Sequence, residues 1–428
     1  MHKISKLPNG ISLIKVPLKG SKAVTIMAMF PVGSRYENKK ISGISHFVEH
    51  MLFKGTKKRP THLEISRELD SLGAEYNAFT SKDYTGYYVR TGEINTEKAF
   101  DWLADMLFNS KLEAEEINKE KGVIVEELRM YDDNPLMAVD NLFERAMFGE
   151  DHPMGWDVGG TADSVRGLSR EDLWNYYQNY YLPNNMVLVV AGSINDKKLA
   201  KALKHFTANK TADKKHNLKE NFIKFVWKKN VLPLAARLAV SEKKLDHAQV
   251  IMGFPGLNYN DPDRFPATVL LNILGGGMSS RLFVEVREKR GLAYMVNAGA
   301  GNFRDVGVVN IQAGLDPSRL ADAIKVIKEE LIKITKESVS AKELADSKNN
   351  IAGRTELAME DSSAQAQWFA KQFWFADKIQ TAEQVTKKIK AVTAADVKRV
   401  AKKLFDFDQM RVAVIGPMSK GSILGLLS

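Results

Sequence analysis

The sequence predicts an α+β fold made of two duplicated domains, each a mostly antiparallel sheet with helices packed on one face. Three observations carry this. The first half alternates strand-like and helix-like stretches. A polar, Lys-rich stretch follows at about residues 207–235. Beyond it the same order of elements returns. Ile26-Met27-Ala28-Met29-Phe30-Pro31 matches Val250-Ile251-Met252-Gly253-Phe254-Pro255, an offset of 224 residues. Glu75-Tyr76-Asn77-Ala78 matches Met295-Val296-Asn297-Ala298, an offset of 220, and Asp83 matches Asp305, an offset of 222. Ordered matches at near-constant spacing are the mark of an internal repeat. The expected division is a first domain at 1–210, a linker at 211–235 and a second domain of the same fold at 236–428.

Each element has a local reason. Residues 11–16 and 23–30 read as strands, preceded by the turn residues Pro8-Asn9-Gly10. Thr61-His62-Leu63-Glu64 has the spacing of a capping box, so a helix is expected over 61–72. Gly73 ends it, and strands follow at 75–79 and 84–90. Helices are expected at 95–109, 114–130, 134–147, 170–180 and 196–206, and a buried strand at 186–191. In the second half a long amphipathic helix is expected at 318–335.

Composition excludes several classes. The chain has 428 residues, 44% hydrophobic and 27% charged, which suits a globular chain of two to three domains. It has no cysteine, so disulfides, thiol nucleophiles and Cys-based metal sites are out. No apolar run is long enough for a membrane-spanning helix, and no membrane partner is expected. Met1 to Gly10 lacks the apolar core of a signal peptide, so a cytoplasmic location is expected. The net charge of +10 is spread among Asp and Glu throughout, and no nucleic-acid partner is expected from it.

The chemistry concentrates in residues 43–55. His46 and His50 are four apart with Glu49 between them, so on a helix all three project into one small volume. The intervening Phe47 and Val48, and Met51, Leu52 and Phe53 beyond, are apolar. Two imidazoles and a carboxylate are costly to bury together unless a partner such as a divalent metal pairs them. The pattern His-x-x-Glu-His is the inverted form of the zincin motif. Adding 222 to 46–50 gives Thr268 to Asn272, so a matching helix is expected in the second copy, without metal donors. The repeat does not need His46 or His50 for its fold. A third donor has to come from another element. Glu115, Glu116, Glu120, Glu126 and Glu127 are the candidates, and Glu120 and Glu127 are seven apart and share a helical face. Gly122 to Val125 is apolar, which predicts that this part of the helix is buried.

With these residues in view, the chain resembles the pitrilysin/insulinase family of zinc peptidases, in particular its short two-domain branch of processing-peptidase-like proteins. Residues 46–56 resemble its inverted zinc motif, Glu120 to Glu127 its acidic helix, 72–85 its substrate-pairing edge strand, and Ser280 to Tyr294 its Arg/Tyr segment. The resemblance runs from about residue 8 to 415. It implies one Zn2+ per chain on His46, His50 and Glu127, with Glu120 supporting the site and Glu49 as the base. It implies substrate pairing along Asn77, Ala78 and Phe79. Arg287 and Tyr294 would contact substrate, Tyr294 as a donor to the oxyanion. It implies an endopeptidase for extended peptides or presequences, working in a chamber of paired subunits, as a homodimer or a heterodimer with a paralogue. The alternative it leaves is a non-catalytic peptide-binding subunit of such a pair.

Overall fold

The computed structural model describes residues 2–208, 222–228 and 232–427. In chain order the first half gives β1 (Lys3–Lys6), β2 (Ser12–Pro17), β3 (Ala23–Phe30), α1 (Ile44–Met51), α2 (His62–Asp70), β4 (Glu75–Thr80), β5 (Thr85–Gly92), α3 (Thr96–Asn109), α4 (Ala114–Asp133), α5 (Pro135–Phe148), α6 (Ala162–Gly167), α7 (Arg170–Tyr180), β6 (Val187–Gly192), α8 (Asp196–Ala202) and α9 (Lys204–Thr207). The second half gives β7 (Leu238–Glu242), β8 (Ala248–Gly256), α10 (Arg264–Gly275), β9 (Ala293–Asn302), β10 (Gly307–Leu315), α11 (Leu320–Lys336), α12 (Ala341–Ala358), α13 (Ser362–Phe375), α14 (Ala382–Ala391), α15 (Ala394–Leu404), β11 (Arg411–Gly416) and α16 (Lys420–Leu427). Thr61 caps α2 in a full capping box with Glu64. The helix expected at 196–206 is interrupted between Ala202 and Lys204.

Two sheets repeat one topology. The first has the order β1-β2-β6-β3-β5-β4 and the second β7-β11-β8-β10-β9. Each carries one parallel pair, β2 with β6 and β7 with β11, and is otherwise antiparallel. Omitting β1, the two orders superpose strand for strand. The duplication expected from sequence is therefore present in the hydrogen-bond pattern, and β4 and β9 are the corresponding edge strands.

Strand alternation decides which side chains meet which layer. In β3, Val24, Ile26, Ala28 and Phe30 join a core with Phe47, Phe100, Trp102 and Leu103 of the main helical layer. Met27 and Met29 point the other way and pack, with Ile14, Val16, Val187 and Val189, against Ala366, Phe369 and Ala370 of α13. The second sheet does the same. Val250, Met252 and Phe254 face its own helices. Ile251, Ala413 and Ile415 pack against Ala138, Val139, Phe143 and Met147 of α5. Gly253 lies under the Phe143 ring, where an added Cβ would come within 2.2 Å of it.

The second face of each sheet is thus covered by one helix from the other half of the sequence. The two compact units are 1–128, 157–223 and 357–379, and 129–156, 224–356 and 380–428. They depart from a single linear division through the exchanged segments holding α5 and α13. The expected linker 211–235 lies largely outside the described residues. Of its described parts, 222–228 and 232–235, the first is not a plain solvated tether. Phe222 lies 4.5 Å under the Arg35 guanidinium, and Trp227 stacks on Phe148 at 5.5 Å. Among the described residues, no helix is long and apolar enough to cross a membrane.

Candidate metal centre

The site lies in the first unit, on α1 and α4, beside β4. Helix α1 is only eight residues long, too short to hold itself, so its surroundings fix it. Its first turn is held by Glu37, which is fully buried. One carboxylate oxygen accepts from Gly43 N at 2.7 Å, and the other accepts from Ser45 N at 2.8 Å and Ser45 Oγ at 2.5 Å. These are orphan donors of a helix N-terminus, satisfied by a side chain from outside the helix. Nothing local in the sequence marks Glu37 for this role.

Burial pushes the Glu37 carboxyl up to about 7, against the hydrogen bonds from Ser45 and Gly43. Its pKa in the folded chain is therefore above the ordinary 4.5. Between the two values the folded chain holds a proton that the unfolded chain has lost, so stability falls as pH rises across this window. The expected loss is on the order of 3 kcal/mol. Urea titrations of wild type and Glu37→Gln at pH 4.5 and pH 7.5 check this. The wild-type advantage should shrink by that amount, and an unchanged difference would refute the assignment.

His46 and His50 project from one face of α1. Their Nε2 atoms are 3.2 Å apart. Glu127 of α4 places Oε2 3.4 Å from His50 Nε2 and 3.8 Å from His46 Nε2. A tetrahedral ion with bonds of about 2.0–2.1 Å separates its ligands by roughly 3.4 Å. The three atoms fit a zinc-sized ion in spacing, and two imidazoles with one carboxylate fit it in chemistry. Among the described residues this is the one group of His, Asp and Glu able to hold a metal ion.

A second ring of contacts orients the donors. His50 Nδ1 is 2.8 Å from Glu120 Oε1, so its Nε2 is the atom left to face the gap. The other oxygen of Glu120 takes Lys54 Nζ at 2.6 Å. Glu120 is buried, and although burial raises its pKa, His50 and Lys54 hold it below the usual carboxylate range. His46 is pushed down to about 4 by burial and then by the neighbouring His50. Burial opposes the charge on His50 too, but Glu120 and Glu127 outweigh it and raise it to about 9. His46 Nδ1 is buried with no hydrogen-bond partner among the described residues, and Gly159 leaves the space beside it.

Glu49 points from the same helix toward β4. Its Oε2 accepts a close hydrogen bond from Thr80 Oγ1, and burial raises its pKa. Glu49, His50, Phe53, Lys54, Tyr76, Asn77 and Glu120 line an open pocket of about 270 Å³. Asn77, Ala78 and Phe79 lie on β4, which among the described residues pairs only with β5. Asn77 Oδ1 accepts from Ala78 N at 2.8 Å.

The structure brings together six residues singled out in sequence: His46, Glu49, His50, Asn77, Glu120 and Glu127. Glu115 and Glu126 are exposed on α4. The apolar run before Glu126 is only partly buried: Ile124 and Val125 are inside, whereas Val123 is half exposed. Lys54 and Thr80 were not anticipated. Lys54 is four residues beyond His50, a spacing that could have signalled it. Arg287 and Tyr294 belong to the second unit. Arg287 sits in a π-helical turn (Phe283–Glu288) with its guanidinium 4.7 Å over the Phe283 ring. Tyr294 lies on β9.

The second unit repeats the helix pair without the donors. The expected helix is α10, which carries Asn272 where α1 carries His50, and α12 stands where α4 does. Asn272 Oδ1 accepts from Ser347 Oγ at 2.8 Å and its Nδ2 donates to Asn350 at 3.0 Å. A neutral amide–hydroxyl pair occupies the place of the imidazole–carboxylate pair.

Two family models match different stretches of the chain. Residues 16–154 match the model of the insulinase family, peptidase family M16, and residues 167–351 match that of the peptidase M16 inactive domain. An uncharacterized zinc protease of Streptomyces coelicolor is 34% identical over 96% of this chain and 89% of its own length. The uncharacterized zinc protease YmxG of Bacillus subtilis is 33% identical over 96% of this chain and 97% of its own. The crystal structure of a protease from Helicobacter pylori superposes with a TM-score of 0.89 at 28% identity, covering 97% of this chain and 99% of that one.

Proposed function

The chain belongs to the insulinase family of peptidases, family M16, in its short two-domain branch, and on that premise we propose that it is a zinc-dependent endopeptidase acting on extended peptides. The observation that carries the reading is the convergence of His46, His50 and Glu127 at ligand spacing, with Glu49 beside them and not among them. His46, His50 and Glu127 are the residues that would hold the ion. Zinc, when bound, would supply Lewis-acid polarisation of a carbonyl and of water.

The chain's own groups do the rest. Glu49 accepts a proton from the attacking water and returns it to the leaving amine. Burial raises its pKa above the ordinary carboxylate value, which makes it a stronger base than an exposed glutamate. Glu120 fixes the tautomer and orientation of His50. The peptide adds to the open edge of β4, along Asn77, Ala78 and Phe79, by main-chain hydrogen bonds. Arg287 holds substrate backbone or carboxylate groups, and Tyr294 donates to the developing oxyanion. A working enzyme of paired chains, enclosing flexible peptides or presequences, is part of this proposal and rests on the family resemblance.

The test is hydrolysis of a quenched fluorescent peptide library, with metal content determined. About one zinc per chain is expected, with hydrolysis and part of the thermal stability lost on chelation and restored by zinc. A wild-type chain that takes up no metal would sink the reading. One that binds zinc yet cuts nothing, alone or as a dimer, would point to a missing paralogous subunit.

A further inference from the structure

Tyr294 is laid across its sheet by three separate features. Strand β9 pairs with β10 so that Met295 faces Gly314 and Ala293 faces Leu315. Tyr294 is the extra residue of a β-bulge, a device that re-aims a side chain. Its ring then crosses β10 over Gly314, where an added Cβ would sit 2.3 Å from the ring. Beyond Gly314 it reaches β8, the strand on the other side of β10. There Gln249 Nε2 donates a close hydrogen bond to Tyr294 Oη, and the His247 ring packs against the phenol at 5.4 Å. Gln249 is buried, whereas Tyr294 keeps 49% of its surface exposed.

We propose that Gln249 is a positioning residue that fixes Tyr294 and sets the polarity of its hydroxyl. This rests on the role for Tyr294 proposed above. A phenol has one proton to give. Because Oη accepts from the Gln249 amide, that proton points away from the sheet and is available to an oxyanion. With Nε2 toward the phenol, Gln249 Oε1 is buried with no partner among the described residues, and the Gln249→Glu variant tests that orientation.

Two variants separate positioning from packing. Gln249→Leu removes the donor. Gln249→Glu offers an acceptor that draws the phenol proton inward. Both are expected to lower kcat by about 10- to 100-fold with KM changed less than about twofold, the scale of a misplaced catalytic group. In a Tyr294→Phe background neither should cost anything further, because the two residues act as one unit. Full kcat in Gln249→Glu, or losses that multiply in the Tyr294→Phe background, would overturn the proposal. A readout independent of activity is the NMR signal of tyrosine labelled at Cζ with 13C, assigned to Tyr294 by its loss in Tyr294→Phe. It should lie away from free tyrosine in wild type and move toward it in Gln249→Leu. A wild-type signal already at the free position would overturn the hydrogen bond. A displaced signal in a protein that hydrolyses no peptide would instead locate the failure in the peptidase reading.

Discussion

Glu49→Gln should abolish peptide hydrolysis, lowering kcat by about 10²–10⁴-fold, while zinc content stays at that of wild type. The size is that of a lost general acid–base. The separation of activity from metal content follows from placement. Glu49 lies on the same helix as His46 and His50, yet its carboxylate is engaged by Thr80 on β4 and stands outside the donor group. Glutamine keeps the volume, and its carbonyl can still accept from Thr80. It cannot take a proton. Activity with metal-loaded protein, beside zinc analysis of the same sample, is the measurement. Wild-type turnover in the variant would remove Glu49 from the mechanism. Loss of zinc along with activity would make it a ligand or a structural support instead.

Gly43→Ala should destabilise the protein by about 4 kcal/mol and weaken zinc binding with it. Gly43 has φ +91°, a left-handed conformation that costs a residue with a Cβ about 1–2 kcal/mol. An added Cβ would also stand 2.4 Å from the Gly159 carbonyl oxygen and 3.1 Å from Gly160 Cα. Two backbone segments would have to separate, which adds to the strain. One is the N-terminus of α1, held there by Glu37. The other is the turn from Asp157 to Gly160, which flanks His46. Neither can move without shifting His46, so stability and affinity fall together. Urea unfolding and a zinc competition assay read the two effects. A variant with wild-type zinc affinity would show that the turn yields without disturbing α1.

Much of this was written locally in the chain. The motif helix announces itself because three polar side chains at helical spacing interrupt an apolar run, and the repeat because strand and turn chemistry recur in order. Other features have no local signature. Glu37 is an ordinary surface-type residue in sequence, and only the fold turns it toward Gly43 and Ser45. The contact between Glu120 and His50 spans 70 residues, and only the family resemblance pointed to it. The amphipathic pattern of α5 or α13 says that each helix has an apolar side, not which sheet receives it. The covering of both sheet faces could not be read for that reason, and neither could the reach of Tyr294 over Gly314.

The exchange of α5 and α13 makes the two halves of this gene product mutually dependent. If α13 is withdrawn from the first sheet, Ile14, Val16, Met27, Met29, Val187 and Val189 return to water. At about 1.5 kcal/mol or more for each such side chain, the loss is on the order of 10 kcal/mol, as large as the whole margin by which a typical domain stays folded. Neither half of the sequence is a module that can be severed at the Lys-rich segment and expected to persist. A recombination event or an engineered fusion that trades one half for a relative's must carry the lent helix across the border with the sheet it serves. The donors on α1 and α4 thus survive only in chains that keep a faithful second half, even though that half contributes none of them.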